Sequence, residues 1–109
     1  MAASISQINR ALFGFTDVLE LHLSRDLSTG SYQLRILLEN AAAEVVVLGC
    51  QHVSNLSISE FGGGLTQFLA LRAEDMSNIG LDRVSMHFAD LERHSIGFNC
   101  ASAQVTMND

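Results

Sequence analysis

From Phe15 onward, apolar and polar side chains alternate with a period of two, and this rhythm constrains the fold more than any other feature of the chain. Phe15, Leu19, Leu21 and Leu23 alternate with Thr16, Glu20, His22 and Ser24. Tyr32, Leu34, Ile36 and Leu38 alternate with Ser31, Gln33, Arg35 and Glu39. A strand sends successive side chains to opposite faces, so each run predicts a sheet element with one dry side, Val18 being the one apolar residue expected on the wet side. The turn-forming stretch Asp26-Leu27-Ser28-Thr29-Gly30 separates the two runs. A connection this short joins antiparallel strands, because a parallel crossover needs a dozen residues or more.

The alternation continues with two changes of phase. The run from Glu44 to Gly49 is apolar on both sides and reads as an interior strand covered on both faces. Val45, Val47 and Val53 stand at odd positions but Leu56 and Ile58 at even ones, which predicts a β-bulge or bend near Val53 and Ser54. Phe61-Gly62-Gly63-Gly64 is a loop, and Leu65 to Ala73 reads as another strand apolar on both sides. Glu74 to Asp82 is polar and contains Gly80, with Met76 and Ile79 turned back onto the core. Val84, Met86 and Phe88 alternate with Arg83, Ser85 and His87; Asp90-Leu91-Glu92-Arg93 turns the chain; Ile96, Phe98 and Cys100 resume the rhythm. A flip to Ala103, Val105 and Met107 predicts a second bulge near Ala101.

Before Phe15 only one segment reads as helix. Over 4–13, Ser4 and Gln7 have capping-box spacing, Ile5, Ile8 and Leu12 recur at helical intervals, and Gly14 ends the run. The expectation is therefore one mainly β domain over 1–109, with a short helix at 4–13 and antiparallel strands over 15–107. About six or seven strands at this spacing form a bent sheet, a sandwich or a partly open barrel. One small helix does not cover an open sheet of that size.

Charge narrows the function classes. Twelve acidic residues stand against six arginines and no lysine, a net charge of −6. Binding of nucleic acid by phosphate neutralisation needs clustered cations, and Arg10, Arg25, Arg35, Arg72, Arg83 and Arg93 are scattered. An acidic surface attracts a basic protein partner. No stretch approaches the ~20 apolar residues of a membrane helix, and no charged segment leads into an apolar one as in a secretory signal. With only Cys50 and Cys100, a disulfide scaffold is not expected, and the expected compartment is the cytoplasm with both thiols reduced and buried. Sheet edges are commonly blunted by lysine and proline, and this chain has neither. Its sheet must close, cover an edge with the N-terminal segment, or pair with a second copy of itself as a homodimer.

No constellation carries chemistry. The four histidines have no metal-ligand spacing among themselves or with cysteine, so no metal and no cofactor is expected. Glu20 and His22 point to the same side of a strand and form the one local acid–base couple; His52 near the bulge and His87 on a wet face complete the candidate residues. Gly62-Gly63-Gly64 lacks the Lys-Ser/Thr of a phosphate loop and precedes a strand. No serine occupies a nucleophile elbow, and the two cysteines share the phase of core residues. No catalytic residue is assigned.

The C-terminal half carries a resemblance. Leu69-x-Leu71, Asp75-Met76-Ser77, Gly80, Val84, Asp90 and Ile96-Gly97-Phe98-Asn99-Cys100 resemble small uncharacterised bacterial β-proteins, some grouped with the immunity proteins of polymorphic toxin systems. Over about a third of the chain, the resemblance implies a non-catalytic binder of a toxin partner and brings no active-site motif. Three classes remain: a non-catalytic, immunity-like protein-binding module; a small-ligand-binding β-domain with a pocket lined by Phe68, Met86, Phe88 and Phe98; and an enzyme using His22, His52 or His87 with a carboxylate.

Overall fold

The protein, described over residues 4–59, 61–76 and 85–107 by a computed structural model, is mainly β. Helix α1 (Ile5–Leu12) begins at Ser4, whose hydroxyl accepts the Gln7 N–H while the Gln7 side chain accepts the Ser4 N–H. That reciprocal pair satisfies two of the free amides a helix N-terminus exposes. Ile8 and Leu12 are buried, and Gly14 takes a left-handed backbone (φ 85°) that releases the chain into the sheet.

Eight strands follow among the described residues: β1 (Asp17–Arg25), β2 (Tyr32–Glu39), β3 (Val45–Gln51), β4 (Ser54–Ile58), β5 (Leu71–Asp75), β6 (Met86–Asp90), β7 (Ile96–Cys100) and β8 (Ser102–Met107). They form two antiparallel four-stranded sheets, sheet A in the order β1-β2-β3-β8 and sheet B in the order β4-β7-β6-β5. The β1–β2 hairpin is as expected. The two phase shifts are not simple bulges. At His52 and Val53 the chain passes from sheet A to sheet B, and at Ala101 it passes back. Because β3 pairs with β8 and β4 with β7, two long bent strands run side by side through both sheets, and the Ala101 N–H donates to Gln51 O (2.9 Å) across the corner. A strand that changes sheets must re-aim its apolar side, and one residue out of rhythm does this. His52 performs it with a positive φ of 55°. Each bent strand counts twice, giving eight strands where six or seven were expected.

Three other expectations need correction. In β1 the register passes from Val18↔Leu38 to Glu20↔Leu37, so Leu19 is an extra residue. Val18 therefore packs on the core, while Leu19 and Leu23 are each 47% exposed. The chain just before β5 anchors this bulge: the Val18 N–H donates to Thr66 O and the Phe68 N–H to Thr16 O (both 2.9 Å). For the same reason Leu65 to Ala70 is not a strand; Leu65 and Leu69 are exposed and only Phe68 is buried. Finally, β3 is interior in its pairing, but only Val46, Leu48 and Cys50 are buried, and its other face is open. The expectations for Ile79, Gly80 and Val84 lie outside the described residues.

The core lies between the sheets, with Phe88 and Phe98 stacked at 5.1 Å in one buried cluster with Phe68, Ile36 and Leu48. α1 covers the free edge of β5. The Asn9 amide donates to Ala73 O (3.0 Å) and accepts the Ala73 N–H (2.7 Å), so one side chain supplies the bonds a further strand would make. Within sheet B the Asp90 carboxylate is fully buried and accepts from the Ala70 N–H (3.0 Å), the Glu92 N–H (3.2 Å) and the Ser95 hydroxyl (2.9 Å). Burial raises its affinity for a proton, and these donors outweigh that, holding the carboxyl below its ordinary range. No helix among the described residues is long and apolar enough to cross a membrane.

Candidate functional site

Since Leu34, Ile36, Leu38, Val46, Leu48 and Cys50 turn inward, the residues between them make up the outer face of sheet A. Register sets these into rows. One row runs His22, Arg35, Gly49, Gln104 from β1 to β8; a second runs Ser24, Gln33, Gln51, Ser102; a third runs Glu20, Leu37, Val47, Thr106. Cross-strand neighbours stand about 5 Å apart, so each row is a line of touching or nearly touching side chains.

A depression of about 550 Å³ opens on this face, bounded by His22, Gln33, Arg35, Gln51, Gln104 and Thr106, with Gly49 in its floor. A Cβ placed on Gly49 would meet no atom within 4 Å, and its backbone is not left-handed, so neither crowding nor strain calls for glycine. Glycine inside a strand costs stability and often marks a place where a ligand or another backbone comes close. The size falls within the range of small-molecule and peptide sites.

His22 and Glu20 meet as the sequence implies: the His22 Nε2–H donates to Glu20 Oε1 at 2.8 Å. Their side chains are 60% and 55% exposed, so water screens the pair and it adds little to stability. Among the described residues, no hydroxyl or thiol bonds to the His22 ring. The other candidates lie elsewhere. His87 is on the outer face of sheet B, where its Nδ1–H donates to Asn99 Oδ1 (2.7 Å) beside a shallow depression of about 380 Å³ bounded by Arg72, Glu74, Ala89 and Leu91. His52 is at the corner, its Nδ1 buried with no hydrogen-bond partner among the described residues. The fold thus joins Glu20 and His22 but leaves His52 and His87 in separate places. No group of three His, Cys, Asp or Glu side chains suited to a metal occurs among the described residues.

Cys50 and Cys100 are free and buried. The neighbouring Cys100 thiol, with burial, pushes the Cys50 thiol far above its usual range, which keeps it protonated and unreactive. Phe68, Met86, Phe88 and Phe98 are core residues, and none lines either depression.

The residues that sequence reasoning passed over are Arg35, Gly49 and the three glutamines. Gln33, Arg35 and Gln51 stood in the wet phase of their strands, and Gly49 was the odd residue in a valine-rich run. Nothing local said that they share one surface. No protein-family model, no curated protein and no solved structure matches the chain.

Proposed function

We propose that the chain is a non-catalytic protein-binding module that grips its partner with the outer face of sheet A. The observation that carries this reading is the depression at Gly49, a hollow of mixed polar and apolar lining on a four-stranded face, at a glycine that neither crowding nor a left-handed backbone requires. Its lining supplies amides, a guanidinium, an imidazole and hydroxyls, which recognise by hydrogen bonding. The one acid–base couple on the face among the described residues, His22–Glu20, is exposed, which favours binding over catalysis. An immunity-like role, in which the chain occupies a toxin, is the form of this function that the C-terminal resemblance suggests. The proposed setting is the cytoplasm, where the buried Cys50 and Cys100 stay as thiols.

Gly49→Trp tests the reading, because it fills the hollow from a position where an added Cβ meets no atom within 4 Å. The wild-type chain should capture a protein from its native host, Gly49→Trp should lose that protein, and Ala89→Trp on the outer face of sheet B should keep it. Capture that survives Gly49→Trp, or no capture at low and at high salt, overturns the proposal.

A further inference from the structure

We infer that the hollow on sheet A takes a carboxylate carried on an extended peptide, with Arg35 as its anchor; the inference rests on the binding reading above and names the partner's chemistry. The chain holds twelve acidic residues and six arginines, yet the hollow is lined by Arg35 and by no carboxylate; Glu20 and Asp26 stand outside its lining, bonded to His22 (2.8 Å) and Gln33 (3.4 Å). The one formal charge within the lining is therefore positive, opposite in sign to the net charge. Arg35 is exposed near the middle of the face, and among the described residues its side chain makes no ion pair and no hydrogen bond. The nearest acid on the face, Glu20, is one row away with its Oε1 engaged by His22.

A guanidinium presents two parallel N–H donors matched to the two oxygens of a carboxylate. Gly49, opposite Arg35 in the register, leaves the volume in which that carboxylate would sit. Around it, Gln51 and Gln104 each offer one carboxamide, a group with both a donor and an acceptor, which is what a peptide unit needs in return, while Gln33, whose Nε2–H donates to Asp26 Oδ2 (3.4 Å), offers its oxygen. The face is four strands wide, roughly 14 Å at the usual strand spacing, and four or five extended residues cross it. The fitting segment is a short extended peptide with a Glu or Asp near its centre.

The experiment titrates the ¹⁵N-labelled full chain by NMR with acetyl-Ala-Ala-Glu-Ala-Ala-amide, its Gln and Lys counterparts, and glutarate. The Glu peptide should give saturable shifts at the Arg35, Gly49 and Gln104 amides. The Gln peptide, and the Glu peptide on Arg35→Gln, should each bind at least tenfold more weakly. Tighter binding of the Lys peptide, or unchanged binding of the Glu peptide to Arg35→Gln, overturns the assignment. If Gly49→Trp still abolishes capture of the host protein while Arg35→Gln does not, the face remains the binding surface and only the carboxylate assignment falls. Glutarate binding as tightly as the Glu peptide would keep the anion site and overturn the peptide.

Discussion

Asp90, at the end of β6, and Arg35, in the middle of β2, are both charged and are treated in opposite ways. Asp90 is sealed inside with donors from Ala70, Glu92 and Ser95 on its carboxylate; Arg35 is exposed at the hollow, its side chain without a partner among the described residues. A buried charge survives only when its hydrogen-bonding capacity is met, so Asp90 is spent on structure. An exposed cation beside an unfilled glycine position contributes almost nothing to the fold, so Arg35 is free for something else. The contrast extends to the surroundings: the inner side of sheet B holds stacked aromatic rings, and the outer side of sheet A carries glutamines, Arg35 and His22 beside Val47 around the hollow. Sheet B and its buried carboxylate should therefore govern stability, and the outer face of sheet A should govern recognition.

The largest expected effect is at Phe98. It is fully buried and stacked on Phe88, and Phe98→Ala should cost about 3–5 kcal/mol through lost burial and the cavity left behind. Urea denaturation measures it, and an unchanged midpoint would mean that sheet B does not hold the core. Asp90→Ala follows at about 2–4 kcal/mol, because it strands two backbone N–H groups and the Ser95 hydroxyl without an acceptor.

The same carboxylate gives a pH dependence with a definite sign. Asp90 binds its proton less readily when folded than when unfolded, so the unfolded chain takes up more protons on acidification. The stabilisation is fully present above the ordinary Asp range, near pH 4, and is lost as pH falls through the depressed folded value. Asp90→Asn should flatten the acid side of the stability curve. A wild-type curve with the same acid slope as the variant would show that Asp90 is not held as its donors imply.

How far the sequence announces these two regions depends on how local their causes are. The helix is legible because its capping box lies within four residues, Ser4 to Gln7. Met86, Phe88, Ile96, Phe98 and Cys100 are legible because a period of two decides which face they take. The bulge at Leu19 is not, since residues 66–68, nearly fifty positions away, fix it. The corners at His52 and Ala101 show themselves only as phase changes, which a bulge within one sheet would also produce. Asp90 reads as a turn residue because nothing nearby reveals that Ala70 and Ser95 converge on it. In the site, the Glu20–His22 pair follows from two-residue spacing. The row His22, Arg35, Gly49, Gln104 draws one residue from each of four strands and exists only through register.

Two substitutions on the outer face of sheet A sharpen the contrast from the other side. Gly49→Val adds a β-branched side chain to open space in a central strand, so it should stabilise the protein by about 0.5–1 kcal/mol. Destabilisation would mean that the floor of the hollow is a packed position and that glycine is there for the fold.

Arg35→Gln should have the smallest effect of all, within about 0.5 kcal/mol in either direction, as for surface changes away from caps, networks and cavities. Its side chain makes no ion pair or hydrogen bond that the fold would lose, and glutamine keeps most of the aliphatic stem that lies on the sheet. A melting curve matching wild type, set beside a tenfold loss for the Glu peptide, would separate the stability of this chain from its recognition. A loss of several kcal/mol would instead place Arg35 with Asp90 as a charge the structure depends on, and the distinction between the two sheets would collapse.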